Sequence, residues 1–451
     1  MSTLPILQKN SYLNLVISDN GIWAHLAYTD HNAGREYILS DYTDINPLKD
    51  RLDDDFFSKQ FWYDYFDNLE KVFNWDIVDR NGFDLFSFRK FKEEGDGVSG
   101  IKILMDENQK FFNKIFSTLR DFSNDIALRI IDDKYMYSLV ESLADRLDYK
   151  DLLYISYDLM EFKIYRTLKD SETGKRETVK TKIEWGNEYG LIEAVKDSRL
   201  KAFLATDINS KDLINYWSNF VLNRVNFCDD PNILDILRAY TTIQTHSMHQ
   251  DSKEKLAGIG IQGNTAIITS GQVPMILGKS KTLLTLIDGL EIAGTADYYH
   301  DTEQRVISFG KSYVSGTSST DIILTRKEII STATKVFIPE IKNRKKISQV
   351  VLSGYTDSLE GEKQSFFVLS PEFTFMPLPL HREKLIIEGD FKNGAYLLNW
   401  DQRNGISFIS VPDKMKYDSL LIDARPKPVV YGPDIYANKL KLQQWMNDPK
   451  A

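Results

Sequence analysis

Cysteine is nearly missing from this chain: Cys228 stands alone among 451 residues. That excludes an intrachain disulfide and any metal cage built from several thiolates. Cys228 itself reads as a small buried apolar residue. Long apolar runs are missing too. None approaches the roughly 18 residues that a membrane-spanning helix needs. The opening MSTLPILQKN lacks the charged segment and apolar core of a secretion signal, so the expected location is the cytoplasm. An excess of positive charge is also lacking, with 56 Lys and Arg against 65 Asp and Glu, a net charge of −9. A general nucleic-acid binder needs a basic field and is disfavoured on that ground.

Apolar and aromatic material is plentiful. Hydrophobic residues make up 42% of the chain and charged residues 27%, with 25 Phe and 23 Tyr. Such a chain buries enough surface to fold as two or three domains rather than remain disordered.

Two stretches begin alike. Leu13 to Ile17 is a β-forming run, Ser18-Asp19-Asn20-Gly21 a turn cluster, Ile22 to Tyr28 a second strand and Glu36 to Leu39 a third. Asn and Gly tolerate positive φ, which suits them to the turn. The plan recurs from Leu152: strand to Ser156, reversal at Tyr157-Asp158-Leu159-Met160, strand from Glu161 to Leu168, polar turn, and strand from Glu177 to Trp185. In the last strand Val179, Thr181, Ile183 and Trp185 alternate with polar residues, so one face is buried. Two meanders of one arrangement point to an internal duplication.

Helical patterns lie between and after them. Phe57, Phe61, Tyr65 and Leu69 recur every fourth residue, and Trp62, Phe66 and Phe73 widen the stripe. This reads as an amphipathic helix packed on the core, with a partner surface as the alternative. The spacing predicts a loop at Gly95 to Gly100, helix over Asn108 to Leu119, strand over Asp125 to Ile131 and helix over Tyr135 to Leu147. Further helices are expected at Glu188 to Lys196, Ser210 to Arg224, Asn232 to Thr242 and Thr282 to Leu290, with strands at Ala266 to Thr269 and Ala296 to His300. Gly258, Gly260 and Gly263 match a dinucleotide fingerprint by count only. A strand follows where a helix is needed, so they read as a bend that lets two backbones approach.

The two meanders, each feeding helices, with the later strand ending in Ser270-Gly271, resemble the actin/Hsp70-like (ASKHA) superfamily. The resemblance implies an α/β protein with a duplicated actin-like ATPase fold, made of two ribonuclease H-like halves. In such folds the meander turns grip phosphates, an acidic residue holds Mg²⁺ or its waters, and the Gly-ended strand borders the nucleoside. The positions matched here are Asp19, Asn20 and Gly21 in the first turn, Ser156 and Asp158 in the second, and Ser270 and Gly271. ATP with Mg²⁺ is the implied cofactor. The second turn departs from the pattern because it has no glycine. Backbone N–H groups reach an anion closely only where side chains are small, and Tyr157, Leu159 and Met160 put bulk there. The nucleotide site therefore reads as degenerate, and no cofactor is assigned. More narrowly, Ala266 to Gly310, with its SGQVP turn and LLTLIDGLEIAG segment, is similar to the glutamate mutase L-type proteins. That similarity implies a cobalamin-dependent mutase as one client.

Two histidine motifs are weaker. His246, His249 and Asp251 have partial metal-ligand spacing, and an ordinary polar loop explains them more simply. His300, Asp301 and Glu303 form a conceivable acid/base group, against which stands a solvated turn.

After Gly310 the texture changes. Val314 to Asp321 reads as a linker, and short strands then alternate with turns, two of them Asn-Gly hairpins at Lys392 to Gly394 and Gln402 to Gly405. An all-β sandwich or barrel with a terminal helix is expected, folding on its own. Lys342, Arg344, Lys345 and Lys346 form a basic loop, read as solvated rather than phosphate-binding. The expected domains are 1–150 and 151–313, the two actin-like halves, and 314–451, the β-rich tail.

The leading expectation is a non-catalytic or weakly ATPase-active scaffold or chaperone-like partner of another protein. The alternatives are an enzyme, either an ATPase centred on Asp19 and Asp158 or a hydrolase using His300 and Asp301, and a scaffold that self-assembles through the aromatic helix.

Overall fold

In a computed structural model of the chain, the residues described are 12–18, 21–30, 35–44, 58–81, 100–106, 115, 117–118, 126–223, 229–315, 332–341, 349–357, 363–378, 385–398, 406–410, 417–425 and 435–446. The chain divides into two compact units, Met1–Leu143 with Glu303–Ile330, and Ala144–Thr302 with Ser331–Ala451.

The first unit is built on a meander of β1 (Tyr12–Ile17), β2 (Gly21–Asp30) and β3 (Arg35–Asp44). Helix α1 (Lys59–Asn81), β4 (Gly100–Asp106), β5 (Ile126–Ile131) and α2 (Asp133–Arg146) follow. The sheet runs β3-β2-β1-β4-β5, antiparallel through the meander and parallel from β1 to β4 to β5. Strand β4 was not expected from the sequence. Its Ile103, Leu104 and Met105 are buried, as in a parallel strand covered on both faces, so no period-two alternation marks it. The aromatic stripe of α1 is turned inward, with Trp62, Tyr65, Phe66, Leu69 and Phe73 buried. Among the described residues of the helix, Tyr63 and Val72 are its exposed large apolar groups, so the core-packing role expected of the stripe is the one these buried residues fill.

The second unit repeats the order. Strands β6 (Asp151–Tyr157), β7 (Glu161–Lys169) and β8 (Arg176–Glu184) form its meander. Helices α3 (Glu188–Ala194), α4 (Ser210–Leu222) and α5 (Pro231–Asp251) lead to β9 (Thr265–Ser270), α6 (Gln272–Leu290) and β10 (Gly294–Asp301). The strands run β8-β7-β6-β9-β10, again antiparallel through the meander and parallel from β6 to β9 to β10. Two meanders thus head two separate sheets of one topology, the duplicated α/β order of the actin-like fold. Helix starts are set by local chemistry. The Asp230 carboxylate caps Asn232 and Ile233 ahead of Pro231, and Asn209 caps Lys211 and Asp212.

Helix α7 (Arg305–Ser315) belongs to the first unit and runs across the boundary expected between 313 and 314. The tail supplies β11 (Ala333–Ile338), β12 (Glu340–Ile341), β13 (Gln349–Asp357), β14 (Lys363–Ser370), β15 (Phe373–Pro377), β16 (Leu385–Phe391), β17 (Ala395–Tyr396), β18 (Ile406–Ser410), β19 (Tyr417–Asp423) and α8 (Ile435–Met446). Instead of one sandwich or barrel, these strands divide. β11, β19 and β15 extend the second unit's sheet beyond β10, β12 pairs with β17, and β14-β13-β16-β18 form a small antiparallel sheet. The compact units therefore differ from 1–150, 151–313 and 314–451, because β11 hydrogen-bonds along β10 and carries the tail into the second unit. The Asn393-Gly394 turn has both residues at positive φ, as a tight hairpin requires. The Gln402 to Gly405 turn, the basic loop at Lys342 to Lys346 and Cys228 lie outside the described residues.

Candidate functional site

The first meander turn is closed by Ser18, whose backbone N–H and hydroxyl both donate to the Gly21 carbonyl, at 3.0 and 3.2 Å. Asp19 and Asn20 lie outside the described residues. Gly21 has a packing reason to be glycine. A Cβ there would lie 2.5 Å from the Tyr42 ring and 2.6 Å from the Thr43 carbonyl oxygen. A side chain at this place collides with β3.

The second turn is tied into the protein interior. Asp158 and Glu161 exchange backbone hydrogen bonds of 2.9 and 3.4 Å, closing a two-residue reversal over Leu159 and Met160. Tyr157, Leu159 and Phe162 are buried, and the Tyr157 and Phe162 rings stack with centroids 4.2 Å apart. Met160 packs against the same core. The turn is thus an anchor for apolar groups.

Its carboxylate has a definite task. Asp158 Oδ1 accepts the backbone N–H of Gln272 at 2.9 Å, capping the first turn of α6. A helix N-terminus offers unsatisfied N–H groups and partial positive charge, so it attracts an anion. Here a side chain from the hairpin is that anion. Gly271 completes the joint. Its φ is +107°, and a Cβ would lie 2.5 Å from the Tyr157 carbonyl oxygen. Glycine is needed because the strand end presses directly on the hairpin backbone.

Ser156, Ser270 and Asp301 are neighbours across the carboxyl ends of β6, β9 and β10, through the pairs Ser156–Ser270 and Asp301–Ser270. Ser156 is half-buried. Ser270 is fully buried and its hydroxyl has no hydrogen-bond partner among the described residues. Open α/β sheets place ligands at the carboxyl ends of their parallel strands. The structure therefore brings Ser156, Asp158, Ser270 and Gly271 to one edge, but with Asp158 already engaged.

His300 is not arranged as a free base. Its Nδ1 lies 3.1 Å from the Tyr298 hydroxyl, which is 2.8 Å from Thr269 Oγ1, and a backbone hydrogen bond joins the ring to Pro274. Burial, and then the Lys279 ammonium, hold its pKa down at about 4. Lys279 is paired with Asp418 at 2.5 Å, and Asp418 also accepts from Thr332 and Ser419. The ring is a neutral strut between β10 and the start of α6. His249 is buried, its Nε2 3.9 Å from Glu291 Oε2, and burial lowers its pKa. Among the described residues no group of three metal-ligating side chains forms, and no helix is long and apolar enough to cross a membrane.

The glycine run acts as the expected bend. A Cβ at Gly260 would lie 2.3 Å from the Ala293 carbonyl oxygen, and Thr295 N–H donates to the Gly260 carbonyl at 3.1 Å.

Sequence reasoning missed the polar staples of the second unit. Arg425 is 1% exposed and reaches Asp423 and Asp288 with both arms of its guanidinium, at 2.6 to 3.0 Å, over the Trp445 ring at 4.8 Å. Asp297 accepts from Tyr149 at 2.6 Å, Lys335 at 2.8 Å and Tyr417 at 3.1 Å. Arg166 and Asp151 form a buried two-bond pair at 2.8 to 2.9 Å. The partners are 15 to 148 residues apart in most of these contacts, and no local pattern announces them.

No protein-family model matches the chain, and no curated protein matches it in sequence. Among solved structures it is similar to a Ppx/GppA family member from Aquifex aeolicus, at 10% identity and a TM-score of 0.29, covering 58% of this chain and 66% of that one. It is similar to the ethanolamine utilization protein EutJ from Carboxydothermus hydrogenoformans, at 11% identity and a TM-score of 0.34, covering 69% and 93%. It is also similar to a non-polymerisable quadruple mutant of pCBH ParM, at 8% identity and a TM-score of 0.35, covering 66% and 97%. The chain thus spans slightly under two thirds of the length of the Ppx/GppA structure. The duplicated fold is carried by the strand order and pairing of the two sheets.

Proposed function

We propose that this actin-fold protein works as a scaffold or chaperone-like partner of another protein, with nucleotide chemistry absent or weak. The observation that supports the reading is the Asp158 carboxylate seated on the Gln272 amide. In a working phosphate hairpin, backbone N–H groups and an acidic side chain face a ligand. Here the acidic side chain serves the helix, and the residues around it are buried apolar ones, Tyr157, Leu159 and Phe162. Gly271, another of the positions matched to a nucleotide site, is occupied by close backbone packing. The similarity to glutamate mutase L-type proteins is carried by Ala266 to Gly310, which comprises β9, α6, β10 and part of α7. Its SGQVP turn is the Asp158-capped helix start, a feature that packing alone explains. A cobalamin-dependent mutase as client therefore stays a proposal resting on sequence likeness.

The test is thermal unfolding of the full chain in millimolar Mg-ATP. A ligand at a hundred times its Kd stabilises the native state by about 2.7 kcal/mol. The expected result is no rise in Tm. A clear rise that Asp158→Asn abolishes would overturn the reading, because the carboxylate would then be serving metal and phosphate.

A further inference from the structure

We propose that the groove between β3 and α1 in the first unit receives an arginine side chain carried on an extended segment of another polypeptide. This does not depend on whether the chain binds nucleotide.

Two independent observations meet there. The first is a cavity of about 190 Å³. Pockets for whole cofactors or drug-sized ligands run to roughly 300–1,000 Å³, so this one suits a single long side chain. Its walls combine the Asp41 and Asp64 carboxylates, the Phe61 and Tyr65 rings, and the aliphatic Leu69 and Val72, and no lining residue is basic. Tyr65 is 7% exposed, and its hydroxyl lies beside Thr43 without a hydrogen bond of good geometry. Burial first, and then the Asp41 carboxylate, push its phenol up and keep it protonated. The second observation is the edge. β3 ends the first sheet and pairs with β2 along all ten of its residues. Among the described residues no strand covers its outer side. An open edge strand is where an extended peptide adds itself, with alternate side chains dropping into adjacent pockets.

The chemistry selects the side chain. A methylene stem suits Leu69 and Val72, and a planar, weakly hydrated cation stacks on aromatic faces while its fork meets carboxylates. Guanidinium has these properties. A lysine ammonium is compact and strongly hydrated, and desolvating it beside Phe61 and Tyr65 costs more. A free organic cation would fill the pocket but leave the β3 edge unused.

The experiment uses the full chain labelled with 3-fluorotyrosine, with Tyr65→Phe identifying the Tyr65 fluorine resonance. The probes are acetyl-arginine amide, its lysine and norleucine counterparts, the pentapeptide acetyl-Thr-Val-Arg-Val-Thr-amide, and that peptide N-methylated along its backbone. The pentapeptide is expected to shift the resonance and to bind about tenfold tighter than acetyl-arginine amide. N-methylation removes that advantage, and norleucine produces no shift. Asp64 is an exposed residue, so Asp64→Asn leaves the fold intact, and it weakens the pentapeptide about tenfold. The proposal is overturned by no shift with the pentapeptide, by lysine binding as tightly as arginine, or by indifference to Asp64→Asn. It is equally overturned if acetyl-arginine amide binds as tightly as the pentapeptide, which would make the ligand a small cation.

Discussion

Asp158 Oδ1 and the Gln272 amide meet at 2.9 Å across 114 residues of sequence. One carboxylate thereby closes the β6–β7 hairpin onto the helix that follows β9. Two kinds of restraint act at this point. The carboxylate supplies charge and a hydrogen bond, and Gly271 supplies the absence of a side chain.

The two restraints predict different costs. Removing a helix-capping acceptor costs about 0.5–2 kcal/mol. Asp158→Ala is expected to fall in that range, while Asp158→Asn retains an acceptor oxygen and loses a smaller amount. Gly271→Ala adds a strained positive φ to a 2.5 Å collision with backbone, so about 3 kcal/mol or more is expected. Urea unfolding followed by tryptophan fluorescence measures both. If Gly271→Ala were tolerated and Asp158→Ala severe, the joint would be electrostatic rather than steric.

A pH dependence follows from His300. Its folded pKa of about 4 lies below the model-peptide value near 6.5. Between those values the unfolded chain binds a proton that the folded chain refuses, so stability falls as pH drops from about 6.5 toward 4. Above 6.5 the group contributes no slope. His25 acts in the same direction, held at about 3 by burial and then by the Arg305 guanidinium. Each histidine contributes up to about 1.4 kcal/mol per pH unit in the middle of its window. His300→Gln is expected to flatten the curve of stability against pH by that amount between about pH 6 and 4.5. An unchanged slope would mean that His300 titrates normally, and the strut reading would fail.

The fold was legible where periodicity and turns carried it. Both meanders, β9, β10 and the helices at 188, 210 and 231 lie close to where the residue pattern puts them. The actin-like order followed from seeing the duplication. Two kinds of feature stayed hidden. β4 is buried on both faces, so its short run Ile101 to Met105 carries no alternation. The tail's strands read as a separate domain because a sequence displays strand number and spacing, whereas β11 finds its partner in β10, an element of the second half. At the candidate site, the bulk of Tyr157, Leu159 and Met160 was visible in the sequence. The occupation of Asp158 was not, since its partner is a backbone amide that any residue at position 272 except proline would offer.

The last prediction concerns Arg425, which is buried between Asp288 and Asp423 and stacked on Trp445. It joins the end of β19 to the C-terminal part of α6 and to α8, so the tail and the second half share one charged node. Removing one member of a buried ionic group leaves the others uncompensated, at a cost of about 3–5 kcal/mol. Arg425→Met is expected to lose that much. Arg425→Lys recovers little, because one ammonium cannot fork to two carboxylates and stack at the same time. Combining Arg425→Met with Asp288→Asn removes part of the stranded charge. The double variant should therefore be less destabilised than the sum of the singles, by at least about 0.5 kcal/mol. Urea unfolding of the four proteins reads the cycle. Strict additivity, or a loss under about 1 kcal/mol for Arg425→Met, would show that α6, β19 and α8 are held by apolar packing and that the charges are incidental.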